Sequence, residues 1–278
     1  MSDLFLVDTT LRDGEQAPGV VFNLREKITI ARLLDLCGVD IIEAGTPAMG
    51  ETEQSAISAI AGLGLRARIT TWNRMVPADI RASLECGVKD VHISAPVSGI
   101  QIRYKLQKTR QWVLDRTREA VRFARDCGCN ISVGAEDASR ADPLFLEEFA
   151  RAAREEGARR LRYADTVGVL YPLAVYERLS ALGEKKIMEI EFHGHNDFGM
   201  AVANSIAAVK AGIKYVDTTV GGLGERAGNA DMKKFIQALA LMKIHNTGWK
   251  HGFLHRLEQY VATAANRTAP GEELKKTV

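Results

Sequence analysis

Short runs of β-branched and aliphatic residues alternate along this chain with longer windows in which apolar positions recur at helical spacing. The short runs, at residues 5–9, 41–44, 67–71, 90–94, 130–134, 160–164, 188–193 and 215–219, predict strands. The intervening windows, at residues 25–36, 51–63, 77–86, 111–127, 143–156, 172–182, 200–211 and 230–243, predict helices. In the first of these, Ile28, Ala31 and Leu34 mark one apolar face. Pro77, Pro143 and Pro172 stand at helix starts, where the missing N–H costs nothing. Gly38, Gly64, Gly87, Gly128, Gly157 and Gly212 follow helices directly, the position of a left-handed stop.

A strand–helix unit repeated this way predicts an α/β fold with parallel strands. Two architectures compete, a closed (β/α)8 TIM barrel and an open doubly wound sheet. The first strand–helix turn lacks the glycine fingerprint of a dinucleotide-binding sheet. Polar residues crowd the C-terminal ends of nearly all the predicted strands, which is where barrels build their sites. The 278 residues fit one barrel of roughly 250 residues. The expected organisation is therefore a TIM-barrel catalytic domain over residues 1–245 and a short helical tail over residues 246–278. The formal net charge of +2 is not gathered into a basic stripe, so no nucleic-acid partner is expected. Neither a membrane span nor a basic, apolar signal segment is present in the sequence. Cys37, Cys86, Cys127 and Cys129 form no CxxC pair and predict free, mostly buried thiols in a reducing cytoplasm.

Three stretches carry candidate chemistry. Asp8-Thr9-Thr10-Leu11-Arg12-Asp13-Gly14-Glu15-Gln16 follows the first strand and packs an arginine beside a carboxylate, a pairing suited to an anionic substrate and a metal. His193-Gly194-His195-Asn196-Asp197 ends the seventh strand. Residues two apart on a strand share a face, so both imidazoles reach one ion. Gly221 to Asn229 holds four glycines and reads either as a flexible lid or as a cradle for phosphate or pantetheine, although no Lys-Ser/Thr follows it. Closing the barrel sets strand 8 beside strands 1 and 7, so Asp13, His193, His195 and Asn229 converge on one divalent Mn, Mg, Zn or Fe ion. Two more strand ends are polar: Glu136 to Arg140, and Asp165 to Gly168. Helix capping is the competing reading there, above all for Ser139 and Asp142. The loop after strand 4, with Tyr104, Lys105, Lys108 and Arg110, reads as a solvated basic loop or as a lid over an acidic or phosphate-bearing substrate.

DTTLRDGEQ, EDASR, ADTVG, HGHND and GLGERAGN, in that order, resemble the DRE-TIM metallolyase superfamily over residues 3–268, and within it the homocitrate synthases of the nitrogen-fixation type and the isopropylmalate synthases. The resemblance implies a divalent metal (Mn, Mg or Zn) on Asp13, His193 and His195 with Asn229 as a further ligand. It implies that Arg12 stabilises the alkoxide formed on the keto oxygen and that Thr166 binds the substrate carboxylate. Gln16 and Glu136 line the site, Glu136 near the acetyl group. The implied reaction condenses acetyl-CoA with a 2-oxo acid, 2-oxoglutarate giving homocitrate, and the implied assembly is a homodimer. Full-length synthases of the family continue into helical subdomains that carry a histidine implicated in enolisation, whereas this sequence stops at Val278. His251 and His255 match no such role, and the general base is unassigned. Three explanations stand open: a piece of a longer chain, the barrel subunit of a two-polypeptide synthase, or a short homologue. An isopropylmalate-type synthase is an alternative. So is a 3-hydroxy-3-methylglutaryl-CoA-type lyase, whose strand-8 glycine loop carries a cysteine that is missing here.

Overall fold

A computed structural model describes residues 4–244, Trp249 and residues 251–265. Eight parallel strands close into a barrel: β1 Phe5–Asp8, β2 Ile41–Glu43, β3 Arg68–Arg74, β4 Asp90–Pro96, β5 Asn130–Glu136, β6 Arg160–Asp165, β7 Glu189–Gly194 and β8 Tyr215–Thr218. Closure is made by β8 on β1, with Phe5 opposite Tyr215 and Asp8 opposite Thr218. The helices are α1 Leu24–Cys37, α2 Glu51–Ala61, α3 Pro77–Glu85, α4 Arg110–Asp126, α5 Pro143–Glu156, α6 Pro172–Glu184, α7 Ala201–Lys210, α8 Met232–Leu241 and α9 His251–Ala264. The eight predicted strands and eight predicted helices are all present. The six glycines read as helix stops all have positive φ, Gly38 at 89° for example.

Local chemistry sets the helix ends. Asn23 and Glu26 form a reciprocal capping box on α1, Thr109 caps α4 and Asp231 caps α8. Asp142 caps α5 through Leu144 N, as the capping reading requires, whereas the Ser139 hydroxyl is buried without a hydrogen-bond partner among the described residues. Fully buried Phe145, Phe149, Phe192 and Phe235 anchor the shell between strands and helices. Each contributes on the order of 1.5–3 kcal/mol by leaving water. Helix α9 packs on α1 and buries Leu254, Leu257 and Val261 in the same shell. The expected domain boundary at 245/246 and the chain beyond residue 265 lie outside the described residues.

Some expectations are corrected. Strands β3, β4 and β5 run two or three residues further toward the C-terminal rim than their apolar runs, because parallel pairing continues to Arg74–Ser94 and Pro96–Glu136. The segment after β4 is no irregular loop; Gln101–Leu106 forms a π-helical turn. Only Cys37 and Cys86 are buried. Cys127 is exposed because it caps the solvent-facing end of α4, and Cys129 is half-buried. No helix among the described residues is long and apolar enough to cross a membrane.

The barrel interior is charged. Glu43, Arg162, Glu191, Asp217 and His92 point inward at mid-height, all buried. Gly134 on β5 leaves room for this layer: a Cβ there would lie 2.6 Å from His92 Nε2.

Candidate active site and metal centre

After β1, the backbone turns sharply, and the N–H groups of Arg12, Asp13 and Gly14 all donate to Thr9 O at 2.8–3.1 Å. The turn is pinned by the Asp8 carboxylate, which accepts from Thr10 N at 2.9 Å and from Thr10 Oγ1 at 3.0 Å. It carries Arg12 and Asp13 into the barrel mouth. Alternation along β7 and just beyond turns His193 and His195 inward as well. Their Nε2 atoms lie 3.2 Å apart, and Asp13 Oδ2 is 3.3 Å from the first and 3.8 Å from the second. Three side chains from opposite ends of the sequence thus present one donor atom each to a common point.

The electrostatics suit a cation. Burial depresses both imidazoles to about 4, so each is neutral at pH 7 and offers a lone pair. His193 Nδ1 faces Asp217 Oδ2 at 3.1 Å, so the ring is held from behind with Nε2 turned toward Asp13 and His195. Burial pushes Asp217 well above the usual carboxylate range. Burial alone would also raise Asp13, but Arg12, His193 and His195 outweigh it and hold its carboxyl below the ordinary value. Both Asp13 oxygens are buried without a hydrogen-bond donor among the described residues. An ionised buried carboxylate left without donors is costly. Two imidazole nitrogens and a carboxylate oxygen are a recognised donor set for a divalent ion, so the residues present fit one.

Asn229 stands immediately behind, bridged by its backbone to His195. Its Nδ2 donates to Leu223 O at 2.9 Å, while its Oδ1 is buried and without a partner. Glycines shape this enclosure. A Cβ on Gly224 (φ 159°) would lie 2.2 Å from Asn229 Nδ2, and one on Gly228 (φ 86°) would lie 2.0 Å from Gly222 O. The glycine loop is tied down by its own backbone rather than hanging free. The N–H groups of Gly222 and Leu223 donate to Thr219 O and Val220 O, and those of Gly228 and Asn229 donate to Glu225 O and Gly222 O.

Beneath the mouth lies a connected ionic layer that no sequence motif announced. Arg12 Nε donates to Glu43 Oε1, and Arg162 donates to Glu43 Oε2 at 2.8 Å and also to Glu191. Arg162 Nε lies 3.0 Å from Asp217 Oδ2. Burial would raise Glu43, but Arg12 and Arg162 hold it far below the usual range. The layer therefore links Arg12 to His193 through Glu43, Arg162 and Asp217. Breaking such a buried pair costs about 3–5 kcal/mol, although the intact network adds little net stability. Its signal in the sequence is a charge at an inward, alternating position of a strand.

A cavity of about 460 Å³ at the mouth is lined by seven of the eight expected residues: Arg12, Asp13, Gln16, Glu136, Thr166, His193 and His195. Asn229 sits behind that wall. Lys105, expected on a solvated or lid-forming loop, reaches into the mouth from the π-helical turn and pairs with Glu136 at 2.7 Å. Thr166 Oγ1 accepts from Asp137 N at 2.9 Å, which leaves its own O–H to donate elsewhere. Trp72, His92 and Gln101 also line it and were not anticipated, and Glu225 and Arg226 of the glycine loop line it too. His255 is exposed on α9 and takes no part in the mouth.

Comparison with known proteins agrees with this geometry. The HMGL-like family profile matches residues 3–261. A 2-isopropylmalate synthase 2 from Caldanaerobacter subterraneus subsp. tengcongensis is 52% identical over 267 residues, covering 96% of this chain and 70% of the relative. A homocitrate synthase subunit alpha from Clostridium pasteurianum is 48% identical over 234 residues, covering 84% of this chain and 87% of the relative. Among solved structures, a hydroxymethylglutaryl-CoA lyase from Pseudomonas aeruginosa superposes with a TM-score of 0.84 at 22% identity, covering 99% of this chain and 97% of that one, a likeness of fold. The motif resemblance and the barrel thus lead to one assignment: the chain belongs to the HMGL-like (DRE-TIM) family.

Proposed function

We propose that this chain catalyses a Claisen-type condensation of acetyl-CoA with a 2-oxo acid, 2-oxoglutarate giving homocitrate. The observation that carries the reading is the buried Asp13–His193–His195 cluster with Arg12 beside it, 3.5 Å from Asp13 Oδ1. Asp13, His193 and His195, with Asn229 alongside, would hold a divalent Mn, Mg or Zn ion. Such an ion supplies electron withdrawal from a bound carbonyl and neutralisation of developing charge. Arg12, fixed by Glu43, stands as a preorganised cation for the oxyanion that appears when the acetyl enolate adds to C2. Thr166 donates its free O–H to the substrate carboxylate. Gln16 and Glu136 bound the space for the second substrate, and Lys105 holds the Glu136 carboxylate in place. The enolate carbon's electron pair forms the new bond to C2 as the carbonyl π pair moves onto the keto oxygen, which then takes up a proton. Attack of water on the thioester carbon breaks the C–S bond and releases the CoA thiol with a free carboxylate. Fixing both substrates in one mouth removes part of the entropic barrier.

A second reading is favoured by one observation. A relative whose length this chain covers to 87% bears the name of a synthase subunit, so the chain acts as the barrel half of a two-polypeptide enzyme that supplies the general base in trans. A thiol-release assay with acetyl-CoA, a panel of 2-oxo acids, and Mn(II) or Mg(II) separates the two. Turnover of 2-oxoglutarate by the lone chain rejects the subunit reading. Preference for 2-oxoisovalerate rejects homocitrate specificity, and acyl-CoA cleavage without condensation rejects the synthase.

A further inference from the structure

Loops β6–α6, β7–α7 and β8–α8 meet at one side chain. Arg226 lies half-open at the rim of the mouth with its backbone in the left-handed region at φ 54°. Its guanidinium grips the Asp197 carboxylate bidentately, Nε to Oδ1 at 2.7 Å and Nη2 to Oδ2 at 3.0 Å. Nη2 also donates to the backbone oxygen of Thr166 at 2.6 Å, and Nη1 donates to Glu225 Oε1 at 2.5 Å. Asp197 is seated tightly. Gly168 packs against it so closely that a Cβ there would lie 2.6 Å from Asp197 Oδ2.

The two halves of the mouth are supported differently. Asp13 sits in a turn pinned to β1, and His193 and His195 stand on or directly beyond β7, so the barrel itself holds three of the four proposed ligands, and Asn229 is held separately by its bridge to His195 and its bond to Leu223 O. Thr166 lies past the end of β6, beyond any ladder bond. Two contacts fix it: its hydroxyl oxygen accepts from Asp137 N, and its carbonyl accepts from Arg226. A residue in a costly backbone conformation that nonetheless makes four directed hydrogen bonds is overdetermined by its surroundings, as functional strain requires.

We propose that Arg226 is a positioning residue, a latch that uses Asp197 as its anchor to set Thr166 at a fixed distance from the cation site and so registers the 2-oxo acid carboxylate against its keto group. The assignment rests on the condensation reading given above. It separates two affinities that general loss of structure would move together.

The test uses the full chain with Mn(II) and 2-oxoglutarate as probes, and variants Arg226→Ala, Arg226→Lys and Asp197→Asn. With Arg226→Ala, the Kd and KM for 2-oxoglutarate rise roughly ten- to a hundredfold, in the range of lost supporting contacts. Mn(II) affinity stays within about twofold, as for an uncoupled site, and kcat falls less than KM rises. Arg226→Lys, which keeps one charge contact with Asp197, recovers part of the loss. Once Arg226 is alanine, adding Asp197→Asn costs nothing further. Equal losses in Mn(II) and 2-oxoglutarate affinity, additive losses in the double variant, or a wild-type KM would each overturn the latch. Amide exchange reads it without any substrate. Gly168 and Val169, whose N–H groups bond back to Asp165, exchange faster in Arg226→Ala while β6 and β7 are unchanged. Unaltered exchange there sinks the latch, whereas failure of the wild type to bind 2-oxoglutarate, with that exchange signature present, sinks the substrate and leaves the latch standing.

Discussion

The barrel has a cavity at each end, and only one of them is built for chemistry. The floor cavity, about 300 Å³, is lined by Arg68, Asp90, Arg160, Glu189 and Tyr215 among others. These charges are paired off: Arg68 with Asp90 inside the cavity, Arg160 with Glu191 of the layer above, and Glu189 with Lys214 outside it. Tyr215 stacks on Phe5 at 4.7 Å between centroids and lies under the Arg160 guanidinium at 4.6 Å. The mouth, about 460 Å³, is of the same order of size, yet it keeps both Asp13 carboxylate oxygens, His195 Nδ1 and the Asn229 Oδ1 buried without a hydrogen-bond partner among the described residues. Concavity alone does not mark a site. Buried donor atoms without partners mark it, because such atoms persist only where something else satisfies them.

That contrast is broken most directly at the cluster. His195→Ala removes one of three converging donor atoms while leaving the barrel ladder intact. The expected outcome is loss of metal-dependent binding of the 2-oxo acid, read by titration with Mn(II) present and absent. Unchanged binding would remove the cluster from the mechanism and make the mouth another floor. Arg12→Ala comes next. Its loss strips the oxyanion donor but leaves Glu43 paired with Arg162, so the fold survives. Turnover per folded molecule should fall by about 10²–10³, the range for one such donor, and the melting temperature should drop because the Glu43 pair is lost. Near-wild-type turnover would take Arg12 out of the reaction. Asp217→Ala is the subtler probe, since Asp217 lies below the mouth, where it faces His193 and also pairs with Arg162. A loss of about 10–100-fold in Mn(II) affinity is expected, as for a lost partner of a metal-bound imidazole. Wild-type affinity would mean that the ionic layer is only packing.

The same contrast explains what could be read in advance. Strand and helix positions follow from periodicities of two and 3.6, which are local, and the glycine stops are local too. The cation cluster was legible because His193 and His195 are two residues apart and because closure of the barrel dictates that strands 1, 7 and 8 meet. The ionic layer was not legible. Arg162 and Glu43 lie 119 positions apart, and nothing local pairs them. Glu43, Glu191 and Asp217 are single acidic residues flanked by an apolar neighbour on their strands, a signal that reads as noise until their shared inward face is known. The reach of β5 to Glu136 and the grip of Lys105 on it depend on pairing with β4 and on a π-helical turn, both of which are tertiary facts.

The smallest effect on activity is expected at the floor, and it tests the other half of the contrast. Tyr215→Ala removes a ring held between Phe5 and Arg160, on the same strand and the same face as Asp217. A half-buried aromatic truncation with loss of one stacking and one cation–π contact should destabilise the fold by about 2–3 kcal/mol. Denaturant unfolding followed by circular dichroism reads that loss. Specific activity per folded molecule should stay within about a factor of two of wild type, because Arg160 keeps its contact with Glu191 and the layer above it is unbroken. If activity and Mn(II) affinity instead fall in proportion to stability, the floor is coupled through Glu191 and Asp217 to His193, and the two ends of the barrel are one site rather than a scaffold and a mouth.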